Sequence, residues 1–223
     1  TLTLTPTLVF AKSAQNFFLP QLSAAVGTAQ FADIATRSLQ VVTAAALVFL
    51  VFILLVGGPV LHMLLGAKYA ALVPLLIWFA IGQTLRVVKA GPAIVALALG
   101  YTSNAMIANM VRVLALPLIW IVAVHTGSLL HILMVVVVAE AMSALIAFCL
   151  LARTSKLNML VLGVPQLPGA LAVIVMGLWG AIHPPVAALP GPLVGSAAGF
   201  VLLLSLMFMP AIRDMVWWAG KRG

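Results

Sequence analysis

The chain alternates long apolar runs with short polar ones, at a spacing set by what a bilayer crossing needs. About 20 residues of helix cross the roughly 30 Å hydrocarbon core. Seven stretches of that order can be marked, at about 3–26, 39–65, 70–99, 104–124, 129–152, 158–182 and 191–210. The breaks between them carry turn chemistry: a polar connection over 28–38 with Asp33 and Arg37, then Gly66-Ala67-Lys68-Tyr69, Gly100 to Asn104, His125 to Ser128, Arg153 to Lys156, and His183 to Pro192. Gly57-Gly58-Pro59 is expected to kink the second span, and Gly91-Pro92 to bend the third and free carbonyls on its polar side. Ser103 or Asn104 is expected to cap the fourth. The predicted fold is an all-α integral membrane protein, one helical bundle of about seven transmembrane helices over residues 1–223.

The third span sets the problem. It holds Gln83, Arg86 and Lys89 near its centre, which at the bilayer midplane is too deep for long side chains to reach water. Two central cations cost roughly 5–7 kcal/mol, and the Leu, Ile, Val and Phe residues from Leu72 to Leu97 return roughly 4–8 kcal/mol. The sum is near zero. Positions 83, 86 and 89 cover about 120° of one helix side, so the span has one wet face and one apolar face. A cationic cavity within the membrane is the expected consequence.

Hydrophobic residues are 65% of the chain and charged residues 6%, which excludes a soluble domain. Eleven Lys and Arg against three Asp and Glu do not form a nucleic-acid footprint, because the basic residues neither cluster nor interleave with aromatics. Membrane lipids and an anionic cargo are the expected partners. With alternating connections, one side collects Arg37, Arg153, Lys156, Arg213, Lys221 and Arg222 while the other has Lys68. The richer side is then cytoplasmic and so is the C-terminus. Trp217 and Trp218 anchor the basic tail at the interface. The chain begins with Thr1 and shows no signal-peptide arrangement, and it is expected to be the C-terminal portion of a longer protein.

Lys12, Arg86, Arg112 and Glu140 each fall near the middle of their own span, so four helices offer charge at one depth. With Lys89 the sum is +3. A structural network tends to neutrality, so the surplus points to a visiting anion. Phosphate or pyrophosphate suits Arg forks and Lys point charges. Lys12, Arg86, Lys89 and Arg112 are the candidate ligand cations, and Gln83 and Asn109 are neutral hydrogen-bonding partners. Glu140 pairs permanently with Arg112 or Arg86, or acts as an ion-coupling group. His62, His125, His131 and His183 match no ligand spacing, and no metal or cofactor is expected. Cys149 is read as inert packing, and Gly195 to Gly199 as a small-residue helix contact. No nucleophile, base and orienter arrangement is visible, so catalysis is not expected.

Phe18-Leu19-Pro20-Gln21-Leu22-Ser23 followed by the polar loop with Asp33 and Arg37, the turn Gly66-Ala67-Lys68-Tyr69-Ala70, and Leu97-Ala98-Leu99-Gly100 before an Asn104-to-Asn109 helix start occur in a telling order. Together they resemble the C-terminal half of the Wzx-like polysaccharide and O-antigen flippases of the multidrug/oligosaccharidyl-lipid/polysaccharide superfamily. The match runs from about residue 8 to 156. Tyr101 stands where that family usually has a basic residue, and Gly127 is followed by Ser128-Leu129-Leu130 without the family's second Gly. The resemblance implies two facing lobes of six or seven helices and alternating access. It also implies a bacterial inner-membrane location and a polyprenyl-pyrophosphate-linked oligosaccharide as cargo, for lipopolysaccharide and other surface polysaccharide. The N-terminal lobe would be the partner wall. Rival expectations are a lipid II flippase, a multidrug antiporter, and a non-transporting scaffold in glycan assembly.

Overall fold

The computed structural model describes residues 4–66, 68, 69, 72 and 75–155. These form five helices: α1 Leu4–Ala25, α2 Phe31–Leu65, α3 Leu76–Ala98, α4 Ser103–Thr126 and α5 Leu129–Ser155, with no strand among the described residues. Phe31–Ile53 within α2, and the whole of α4 and α5, are long and apolar enough to cross a membrane, consistent with a membrane protein. The expected spans at 158–182 and 191–210, the Gly195 to Gly199 pattern, His183 and the basic tail lie outside the described residues.

Helix α2 starts at Phe31, not at Leu39 as the polar connection implied. The reason is amphipathicity. Phe31, Ala35, Ser38, Leu39 and Val42 recur at helical spacing and are buried, while Asp33 and Arg37 sit one turn apart on the outer side and pair at 3.0 Å. Polar residues there mark an exposed face, not a loop. α2 runs unbroken past Pro59, and α3 runs unbroken through Gly91-Pro92. Gly91 faces α2 instead of the polar side: a Cβ there would lie 2.9 Å from Leu39 Cδ2. The missing side chain is what lets the two helices close on each other.

Glycines close α3 and α4 in backbone that L side chains rarely adopt. Gly100 at φ +84° ends α3 with a Schellman pattern, Tyr101 N–H donating to the Ala96 carbonyl at 2.9 Å and Gly100 N–H to the Leu97 carbonyl at 3.0 Å. Gly127 at φ +57° ends α4 by donating to the Ala123 carbonyl at 3.0 Å. The expected cap on α4 is not made. Thr102 precedes the helix with no side-chain cap, and Asn104 is buried, donating from Nδ2 to Thr154 Oγ1 of α5 at 3.1 Å.

Helix α3 is the centre of the packing, in contact with α1, α2 and α5. Leu39, Val42 and Ala46 of α2 meet Val87, Val95 and Ala96 of α3, Leu22 of α1 and Leu151 of α5 in one apolar cluster. Leu47, Leu50 and Ile53 meet Ala80 and Ile81 in a second. Helix α4 lies at the margin, packed mainly on α5, with Asn104 and Ala108 its buried residues. Its remaining surface is largely exposed and apolar, including Leu114 and Trp120. Cys149 is exposed on α5, against its reading as packing, because Ala147 and Leu151 take the inward positions on either side.

Candidate functional site

The side of α3 that faces α4 and α5 carries Arg86 and Lys89. One turn of α4 carries Asn109 and Arg112, and one turn of α5 carries Glu140 and Ser143. Glu140 lies eleven residues into α5, about 17 Å at 1.5 Å per residue, near half the hydrocarbon thickness. Three helices therefore bring polar groups to a single depth, as their positions along the sequence suggest.

Glu140 is the focus, with its side chain 1% exposed. Arg86 Nε donates to Oε1 at 2.6 Å, Arg112 Nε forms an ion pair with the same oxygen at 2.8 Å, and Lys89 Nζ reaches Oε2 at 3.5 Å. Lys89 Nζ also donates to Asn109 Oδ1 and to Ser143 Oγ, both at 2.9 Å. The Ser143 hydroxyl in turn donates to the Ala108 carbonyl at 2.5 Å. A buried carboxylate is costly unless paired and hydrogen-bonded. Here both of its oxygens are engaged.

One carboxylate facing three cations leaves a local surplus of +2. Each arginine approaches Glu140 through Nε, and among the described residues no further hydrogen bond or ion pair with another residue engages either guanidinium. Among the described residues their terminal nitrogens make no hydrogen bond and remain available as donors. Arg86, Asn109, Arg112 and Glu140 form the floor of a cleft of about 500 Å³. Its walls are apolar: Val113, Ala115, Leu116 and Ile119 from α4, Val136 and Ala139 from α5. A charged floor under an apolar wall suits an amphiphilic anion, its polar group on the guanidinium forks and its hydrocarbon along α4 and α5.

Arg86, Lys89, Asn109, Arg112 and Glu140 thus come together as the sequence suggests. Lys12 does not. It is exposed on α1, roughly 160° around the helix from buried Ala14 at 100° per residue. The expected surplus of +3 is therefore +2. Gln83 is buried within α3, and neither it nor Lys89 lines the cleft. Ser143 is the residue that sequence reasoning undervalued. Its signal was its position three residues after Glu140, on the same face of α5. His62, His125 and His131 are exposed near the ends of α2, α4 and α5, and no group of three metal-ligating side chains occurs among the described residues.

Fold and site together define a helical chain of membrane-protein character with an anion-suited cleft. No family model, curated protein or solved structure matches the sequence.

Proposed function

We propose that the chain is the C-terminal lobe, with about seven membrane spans, of a flippase-type transporter. Its cargo is a polyprenyl-pyrophosphate-linked oligosaccharide, moved across the bacterial inner membrane by alternating access for surface polysaccharide synthesis, with the C-terminus in the cytoplasm. The chain acts by binding and moving its cargo, not by catalysis. The observation that carries this reading is the unbalanced layer of Arg86, Lys89 and Arg112 around Glu140, with both arginines and the acid lining an apolar-walled cleft. A purely structural cluster gains nothing from holding two uncompensated charges at that depth, whereas a phosphoryl group neutralises them. The apolar wall supports a lipid-borne anion over a free one. The volume fits a headgroup and its first methylenes, so the glycan extends beyond this cleft.

The local sign of charge disfavours an antiporter of organic cations. A non-transporting scaffold is the second reading, favoured by the fact that Glu140 already engages all three cations. The two separate in one experiment. In a strain that depends on the protein for surface polysaccharide, replacing Arg86 and Arg112 together by Ala is expected to abolish export at unchanged protein level. Full export with both replaced would overturn the transport reading and leave the scaffold.

A further inference from the structure

Resting on the anion reading of the cleft, we propose that Lys89 does not bind the cargo. It is a positioning residue that orients Asn109 and fixes the turn of α4 carrying Arg112. An ammonium group has three donors and no acceptor. Here they are spent on Asn109 Oδ1, Ser143 Oγ and Glu140 Oε2, and Lys89 is absent from the residues lining the cleft. Because Nζ can only donate, Asn109 must turn its oxygen to Lys89, which leaves the amide nitrogen as the group free for the cleft.

The second arm of the clasp runs through Ser143. Its hydroxyl accepts from Lys89 and donates to the carbonyl of Ala108, whose helical partner is the backbone N–H of Arg112. Lys89 therefore ties α3 to α5 and to the 108–112 turn of α4, a helix with little other burial. Among the described residues the unengaged groups of the floor are donors: the outer nitrogens of Arg86 and Arg112 and the amide of Asn109. Both oxygens of Glu140 are occupied. Such a floor selects a group with acceptors only, a phosphoryl oxyanion, against hydroxyl-bearing neutral ligands.

Charge-preserving and charge-free variants test this on the full chain in nanodiscs, with inorganic pyrophosphate as the probe. Lys89→Arg keeps the charge but cannot match three convergent acceptors, and affinity is expected to fall about tenfold. Ser143→Ala alters no charge and touches no ligand, and a loss of about threefold or more is expected. Equal or tighter binding by Lys89→Arg would make Lys89 a ligand cation and overturn the proposal, as would unchanged affinity in Ser143→Ala. Should Lys89→Arg fail to accumulate, Ser143→Ala decides. Absence of pyrophosphate binding by the unaltered chain would count against the anion reading itself. The clasp is then decided by thermal unfolding, where Lys89→Met and Ser143→Ala should lose stability non-additively and additive losses would refute it.

Discussion

Helix α3 is held on two sides by different physics. Towards α2 it packs through apolar contacts brought close by a glycine, Gly91 against Leu39. Towards α4 and α5 it is joined by ion pairs and hydrogen bonds centred on Glu140. On the transporter reading proposed above α3 crosses a bilayer whose tails are as apolar as Leu, so the first interface gains mainly from close fit and the second from polar groups that have nowhere else to go. The apolar side is therefore suited to being a rigid wall. The polar side holds unspent charge and a marginally buried helix, and it is where a ligand can change the balance.

Removing the shared acid tests the contrast most severely. Glu140→Gln leaves Arg86, Lys89 and Arg112 without a counter-charge at mid-depth, and a loss of about 3–5 kcal/mol is expected, read as a fall in the thermal unfolding midpoint in detergent. A loss below about 1 kcal/mol would mean that the polar side is not pinned by this carboxylate. On the opposite face, Gly91→Leu overpacks the α2 contact and should cost about 1–3 kcal/mol, recovered in part by Leu39→Ala. Its pyrophosphate affinity should stay within about twofold of the parent, because the overpacked contact faces α2 and no residue of the cleft lies on that side. Equal damage to binding from Gly91→Leu would erase the distinction between the two sides.

Depth was readable in the sequence and direction was not. A helix rises by a fixed amount per residue, so counting put Arg86, Arg112 and Glu140 at one height without knowledge of which helices touch. The same counting could not reveal that Lys89 meets Asn109 and Ser143 at once, since that depends on how α3, α4 and α5 are arranged around one another. The stretch 28–38 has the look of a polar connection because Asp33 and Arg37 stand out by charge, while the stripe formed by Phe31, Ala35 and Leu39 begins before the hydropathy rises. Asn104, like Ser103, is a residue type that favours caps. A tertiary partner, Thr154, took its side chain instead.

The smallest effect is expected at Lys12, and it bears on the same lesson. Apolar residues occur on several sides of α1, with Val9 and Phe17 exposed alongside buried Ala14 and Leu22, so periodicity alone left the inward face of that helix open. The packing resolves it: Ala14, Leu22 and Ala25 turn inward as part of the larger apolar cluster, and Lys12 points away. Lys12→Gln should therefore change pyrophosphate affinity of the chain by less than about twofold and stability by less than about 0.5 kcal/mol. The measurement is a titration of the variant beside Arg112→Ala, whose guanidinium lines the cleft and whose loss should weaken binding far more. If Lys12→Gln weakened binding as much as Arg112→Ala, α1 would have to rotate by nearly half a turn to explain it. The apolar cluster that fixes α1 against α3 would then be the part of the fold to revise.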